Sequence, residues 1–338
     1  MSLNNPSVAI VGATGAVGTE LIACLESREF PLRSLRLFAS PRSAGRRLMF
    51  RGDGLPVEEL KKGALAGSDI ALFSAGSATS KQFAPEAVRH GGIVVDNSSA
   101  FRMDAGVPLV VPEVNAGAIA SHRGIIANPN CVAIIAAVPL WPLHREVGIA
   151  RVIAATYQAA SGAGAAAMAE LRTSTGAYLA GKEFAPTVLK HPYAFNLFSH
   201  DSAVDAETGV NGEETKVVQE LRKIMQTPGL PIGITCVRVP VLRAHSIALT
   251  VELARAVTPA EARRILGAAP GILIVDDPAA NHFPMPNEAS GQGDVLVGRV
   301  RRDGSDPSGR TLAMFVAGDQ LLKGAALNAV QIAEHLVN

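Results

Sequence analysis

Eleven residues near the N-terminus, Val8-Ala-Ile-Val-Gly-Ala-Thr-Gly-Ala-Val-Gly18, constrain this chain more than any other stretch. A short apolar run, residues 7–11, ends in a glycine turn, and residues 18–25 then carry helical periodicity. A strand that turns through glycines into a helix opens a βαβ unit, which requires a parallel sheet covered on both faces. Gly12 permits the tight turn, Gly15 lets a phosphate approach the backbone, and Gly18 allows the helix to pack closely on the strand. The N–H groups at the helix start would then face a pyrophosphate. The spacing is GxxGxxG rather than the commoner GxGxxG, so an ordinary glycine turn is the competing reading.

The rest of the pattern follows from that start. Apolar runs at 35–39, 70–74 and 93–95 read as strands, with a helix at 81–90. The second half differs. Residues 151–158, 234–240, 246–253, 272–275, 295–300 and 310–316 read as strands, and 164–180, 213–225, 259–266 and 324–337 as helices. The 213–225 helix is amphipathic, with Val217, Val218, Leu221 and Ile224 near helical spacing. A loop at 282–294 is rich in Pro, Asn and Gly. The 338 residues suffice for two domains, and no linker or repeat divides them.

Composition excludes several classes. Hydrophobic residues make up 48% and charged residues 18%, which fits a packed globular chain. A net charge of +1 with no basic block argues against a nucleic-acid surface. The apolar stretch 132–143 is too short to cross a bilayer and is interrupted by prolines. The N-terminal sequence lacks the marks of a signal peptide. Three cysteines, Cys24, Cys131 and Cys236, without CxxC or Cys/His spacing, argue against a disulfide framework and a metal site. The expected location is the cytoplasm.

Three segments carry chemistry. At the end of the second strand an NAD site usually shows a carboxylate. Here the chain reads Ala39-Ser-Pro-Arg-Ser-Ala-Gly45, and Arg42 between Ser40 and Ser43 suits a 2′-phosphate. That points to NADP, against the alternative of a solvated basic loop. Cys131, in Asn128-Pro-Asn-Cys-Val-Ala-Ile-Ile, opens an apolar helix-like run, where a helix N-terminus would stabilise a thiolate. Cys24 and Cys236 lie inside apolar patterns and read as buried fillers. His245, just before a strand, is either a general acid and base or a structural histidine. Arg238, amid β-branched residues, needs an anion, either a protein carboxylate or a substrate carboxylate.

The stretches GATGAVG, ASPRSAG, DNSSAFRM, PLVVPEVN, NPNC, TYQAASGAG, NGEETKVVQELRKI, RVPVLRAHS, VGRVRRD and KGAALNAVQIAE occur in this order. Through them the chain resembles the aspartate-semialdehyde dehydrogenase family nearly end to end. The resemblance implies an α/β fold: a Rossmann-like NADP-binding domain, residues 1–130 completed by 318–338, and an α+β catalytic and dimerisation domain, residues 131–317. It assigns the acyl-enzyme cysteine to Cys131, the acid–base histidine to His245, and the substrate-orienting glutamine to Gln158. Arg238 falls to the substrate α-carboxylate, Glu213 to its ammonium group, and Arg102, Asn130 and Lys216 to phosphate. The cofactor contacts implied are Gly12, Thr14, Gly15, Ala16, Val17, Ser40, Arg42, Ser43, Ser161, Gly162 and Gln320.

The reaction implied is NADPH-dependent reduction of aspartyl 4-phosphate to aspartate 4-semialdehyde and phosphate, serving lysine, threonine and methionine synthesis. A homodimer is implied, with pairing into tetramers left open. Two departures stand out. Val132 and Ala133 follow NPNC where threonines are usual, and Asp319-Gln320 replaces an Asp-Asn pair before the last helix. Two rival readings are a reductase of another acyl phosphate, such as N-acetylglutamyl phosphate, and a non-enzymatic paralogue. An acylated amine has no use for an acid at Glu213, and a non-catalytic paralogue has none for Cys131 and His245.

Overall fold

The computed structural model describes residues 3–337; Met1, Ser2 and Asn338, at the outer ends of the expected nucleotide-binding segments, lie outside them. The chain divides into two compact units, Met1–Asn130 with Gly324–Asn338, and Cys131–Lys323. Together they form a Rossmann-like α/β domain and a second domain built on a mixed sheet.

In the first unit, β1 (Ser7–Val11), β2 (Ser34–Ala39), β3 (Arg47–Phe50), β4 (Asp53–Glu59), β5 (Ile70–Phe73), β6 (Ile93–Asp96) and β7 (Ile125–Ala127) make one sheet. Its order is β3-β4-β2-β1-β5-β6-β7. Every pairing is parallel except β3 with β4. Helix α1 (Ala16–Ser27) follows β1 and α2 (Ser77–Arg89) follows β5. β1 and β5 are buried along their whole length, as strands covered on both faces are. The strand order reverses at β1, with β2 on one side and β5 on the other. In open α/β sheets that switch point is where ligands bind.

The β3–β4 hairpin is an element that the sequence reading did not include. Its turn uses Arg51 (φ 50) and Gly52 (φ 86), two left-handed residues matched to hairpin twist. Its strands, RLMF and DGLPVEE, show no regular alternation of apolar and polar residues, and Arg-Gly is a weaker turn signal than Asn-Gly. Helix α3 (Pro112–Asn115) precedes β7. The C-terminal segment adds α9 (Leu327–Glu334) to the first unit, where Arg28 binds Glu334 at 2.6 Å and the Asn328 amide donates to the Val110 carbonyl at 2.9 Å. The expected helix 324–337 is therefore shorter, preceded by a wider helical turn over Leu322–Ala326.

The second unit begins with α4 (Cys131–Val147), followed by β8 (Ile149–Gln158), α5 (Ala165–Leu179), β9 (Phe198–Ser199) and α6 (Gly212–Ile224). Next come β10 (Ile232–Arg238), β11 (His245–Leu253), α7 (Pro259–Gly267), β12 (Ile272–Ile274), α8 (Pro286–Ala289), β13 (Val295–Arg302) and β14 (Thr311–Gly318). The sheet order is β12-β13-β14-β11-β8-β10-β9. Helix α4 lies against the sheet's centre, α6 against β10, and α7 against β12 and β13. The opposite face leaves Ile153, Tyr157 and Leu273 exposed. Pro139 and Pro142, which the sequence suggests as interruptions, sit inside α4. Among the described residues no helix is long and apolar enough to cross a membrane.

Candidate active site

The switch point in the first unit is bare backbone. Gly12 has φ 91, and a Cβ there would run into the Ser74 carbonyl. Gly15 caps α1 with no side-chain hydrogen bond, so no side chain competes for the first N–H groups of the helix. Ala16 and Val17 open that helix. A cavity of about 360 Å³ is lined by Gly12, Thr14, Gly15, Ser40, Ser74 and Thr79, among others. Beyond β2 the chain makes a single turn over Pro41–Ser43, with Arg42 exposed and the Thr14 hydroxyl donating to Ser43 Oγ at 3.3 Å. No carboxylate stands at the end of β2, which closes on Ala39-Ser40. Hydroxyls and a guanidinium there fit a 2′-phosphorylated dinucleotide.

Two residues expected at phosphate also lie in this unit. Arg102 is buried, with Nε donating to the Asn128 carbonyl at 3.0 Å and Nη2 to the Asn97 carbonyl at 2.8 Å. Asn130 is also buried, two residues after Asn128, at the chain's exit from the unit.

In the second unit, Cys131 is the first residue of α4 and is half-buried. Val132 and Ala133 are fully buried in the first turn, so the departure from threonine leaves the helix start in place. The other thiols differ. Cys24 and Cys236 are buried, and burial pushes the Cys236 thiol up to about 12. A thiol at a helix N-terminus is the one placed to ionise.

Strand register brings three more candidates to one end of the mixed sheet. Gln158 ends β8 and pairs in parallel with Arg238, the last residue of β10. β11 runs antiparallel to β8, so its first residue, His245, lies at that same end, opposite Gly318 of β14. Gln158, Arg238 and His245 are all buried. The Gln158 amide donates to Glu213 Oε1 at 3.2 Å. Glu213 is itself held by a cap: Asn211 accepts from the N–H groups of Glu213 and Glu214, while Glu214 accepts from Asn211. Glu214 also accepts from the Cys236 N–H at 2.9 Å, tying α6 to β10. Lys216, one turn on, is exposed.

His245 is fully buried. The Ala159 N–H donates to Nδ1 at 3.0 Å, so the neutral ring carries its proton on Nε2. Nε2 has no hydrogen-bond partner among the described residues. Burial, with the Arg238 charge adding to it, pushes this ring down to about 3. His245 is therefore a neutral donor at neutral pH. Gly162 lies against it: a Cβ on Gly162 would stand 2.9 Å from His245 Cε1 and 3.3 Å from Arg238 Nη1. Ser161, the preceding residue, accepts from the Gln320 amide, whose oxygen accepts from the Ala244 N–H at 2.8 Å. Both ends of the Gln320 side chain are thus engaged within this unit.

Arg238 has a protein carboxylate. Asp201 Oδ1 lies 3.0 Å from Nε, and His200 Nε2 lies 2.9 Å from Nη2. The sequence did not single out Asp201, His200 or Glu214. The first two sit in an irregular segment with no periodicity to place them. Only the capping pattern Asn211-x-x-Glu214 was a usable signal.

The family described as "Semialdehyde dehydrogenase, NAD binding domain" matches residues 7–122, and "Semialdehyde dehydrogenase, dimerisation domain" matches 140–323. The chain is 53% identical over 330 residues to aspartate-semialdehyde dehydrogenase of Synechocystis sp., covering 98% of this chain and 97% of that one. It is 44% identical to the Bacillus subtilis enzyme of the same name, covering 97% and 96%. The crystal structure of aspartate semialdehyde dehydrogenase II from Vibrio cholerae, complexed with ASA, matches with TM-score 0.95 and 41% identity, covering 99% of this chain and 98% of that one.

Proposed function

The chain belongs to the aspartate-semialdehyde dehydrogenase family, and on that premise we propose that it interconverts aspartyl 4-phosphate and aspartate 4-semialdehyde, with NADP as cofactor and a thioester on Cys131. The observation that carries this reading is His245: a fully buried ring, locked as a donor, with its Nε2 unpartnered at the sheet end that also holds Gln158 and Arg238. A buried donor left without a partner costs stability and is expected where a reacting atom will sit.

The roles follow from chemistry. In the dehydrogenating direction the Cys131 thiolate, favoured at the start of α4, adds to the aldehyde carbonyl. Negative charge builds on the carbonyl oxygen, and the His245 Nε2–H donates to it. Because Nδ1 already accepts from Ala159, the ring takes up no proton in this step. Gln158, fixed against Glu213, holds the substrate's orientation. Arg238 binds the α-carboxylate and Glu213 the ammonium group. Lys216, Arg102 and Asn130 are assigned to phosphate, which attacks the thioester and restores the thiolate. Gly12, Thr14, Gly15, Ala16, Val17, Ser40, Arg42 and Ser43 would hold NADP, and Ser161, Gly162 and Gln320 are also assigned to cofactor contacts. When bound, NADP accepts or supplies the hydride. The half-exposed face carrying Ile153 and Tyr157 supports a homodimer. The product would feed lysine, threonine and methionine synthesis in the cytoplasm.

The test is NADPH formation from NADP, aspartate 4-semialdehyde and phosphate. Turnover that requires phosphate and is lost in Cys131→Ala supports the reading. Turnover with N-acetylglutamate semialdehyde but not with aspartate semialdehyde would replace it.

A further inference from the structure

Arg238 is clamped from one side, and the clamp determines which edge of its guanidinium is open. Nε is bound by Asp201 Oδ1 at 3.0 Å and Nη2 by His200 Nε2 at 2.9 Å. A guanidinium has no acceptor, so His200 Nε2 must be the accepting nitrogen. On the ring's other side, Nδ1 lies 3.1 Å from Ser202 Oγ and 3.2 Å from the Ser202 backbone nitrogen, so the residue after Asp201 holds the imidazole in place. Ser202 Oγ in turn accepts from the Glu213 N–H at 3.0 Å and donates to Asn211 Oδ1 at 3.3 Å. The segment 200–202 therefore links Arg238 to the capped start of α6, which carries Glu213 and Lys216.

We propose that His200 and Asp201 are positioning residues that fix the edge Arg238 presents to the substrate carboxylate, an inference that rests on the assignment of Arg238 made above. The Nε/Nη2 edge, which most often grips a carboxylate side-on, is closed by the clamp. What stays open is the Nη1/Nη2 end, and Nη1 is the nitrogen that faces Gly162, 3.3 Å from where its Cβ would stand. The same glycine lies against His245. The clamp thus turns the open end of the guanidinium toward the residue assigned to the carbonyl oxygen. Burial raises the Asp201 carboxyl, but the Arg238 charge, with hydrogen bonds to it, outweighs that and holds it below the usual carboxylate range. An ionised Asp201 offsets much of the Arg238 charge. Recognition then depends on geometry more than on net charge, which suits a planar carboxylate and gives the dianionic co-substrate, phosphate, little reason to compete for the same arginine.

The test uses the full-length protein with semialdehyde and phosphate varied separately at saturating NADP. Asp201→Ala should raise the semialdehyde KM by roughly tenfold, the loss of one charge-assisted hydrogen bond, with the phosphate KM changed less than about twofold. Asp201→Asn keeps an oxygen acceptor for Nε and should return the semialdehyde KM to within about threefold of wild type, since the geometry survives. His200→Ala and His200→Gln form a second pair with the same expected pattern, which covers failure of the first alanine variant to fold. Once Arg238→Ala is present, adding Asp201→Ala should change kcat/KM no further, because the clamp acts only through Arg238. Alanine variants that match wild type overturn the proposal. So does a parallel rise in both KM values, or failure of the asparagine and glutamine variants to recover. A wild-type protein that forms no NADPH overturns the functional reading itself, and the clamp's role with it.

Discussion

Gly162→Ala tests the geometry of the site with one methyl group. Gly162 lies in the short helical turn Ala160–Ala163 and its φ is not in the left-handed region, so alanine suits its backbone. The added Cβ would stand 2.9 Å from His245 Cε1, 3.0 Å from Nε2 and 3.3 Å from Arg238 Nη1. Ordinary carbon contacts need about 3.5–4.0 Å, so the shortfall against the ring is roughly 0.6–1 Å. The ring cannot swing aside cheaply, being fully buried with Nδ1 held by the Ala159 N–H. Arg238, gripped by Asp201 and His200, is equally confined. Either the turn or the ring must move, at a cost of about 1–3 kcal/mol in stability. A displacement of about 1 Å at a catalytic donor lowers kcat by roughly a hundredfold. The assay is initial-rate NADPH formation beside denaturant unfolding. Gly176→Ala is the control, because nothing lies within 4 Å of its Cβ position in α5. A Gly162→Ala enzyme with kcat within about threefold of wild type and unchanged unfolding would refute the close contact and the role drawn from it.

Three other outcomes follow. Iodoacetamide should label Cys131 ahead of Cys24 and Cys236, which are buried, and peptide mass mapping with and without substrate checks this; Cys131→Ala should bind NADP and not turn over. Arg42→Ala should weaken NADP binding by roughly tenfold or more and leave NAD binding nearly unchanged; equal losses in parallel titrations would remove the 2′-phosphate contact. The His245 ring is held near 3 in the fold against 6.5 unfolded, so between those values the unfolded chain binds the extra proton and stability falls as pH falls. From pH 6.5 to 5 that amounts to about 2 kcal/mol, and unfolding curves of wild type and His245→Asn should diverge across this range by about that much; parallel curves would contradict it.

Much of the fold was legible because its signals are local. The strand, glycine turn and helix of residues 7–27 declare themselves through period and punctuation, and Gly12 meets the Ser74 carbonyl as a glycine-only position should. Cys131 was legible as the residue that opens an element rather than filling one. What stayed hidden depends on pairing between distant segments. The hairpin Arg47–Phe50 with Asp53–Glu59 has a turn of modest sequence signal at a sheet edge. Asp201 is one of two aspartates in a segment without periodicity, and only the β10 register places Arg238 beside it. For Arg238 the sequence required an anion and left its origin open. The fold supplies a protein carboxylate at Nε, and the substrate is left the other end of the same guanidinium.

The Asp319-Gln320 pair shows how a local oddity acquires a reason in three dimensions. Ala244, directly before His245, has φ 70, a left-handed conformation that costs a non-glycine residue about 1–2 kcal/mol. Such strain persists only where neighbouring bonds over-determine it. Here they do. Gln320 accepts from the Ala244 N–H at 2.8 Å, and Asp319 binds Arg243 Nε at 2.6 Å while also accepting from the Gly291 and Leu321 N–H groups. The other end of the Gln320 amide reaches Ser161, next to Gly162, so one side chain braces both the turn that delivers His245 and the turn that packs against it. An asparagine at this position would be one methylene too short to span both from the same backbone. The longer amide therefore has a structural consequence of its own, separate from any cofactor contact: it couples the aim of the histidine to the position of the glycine that confines it.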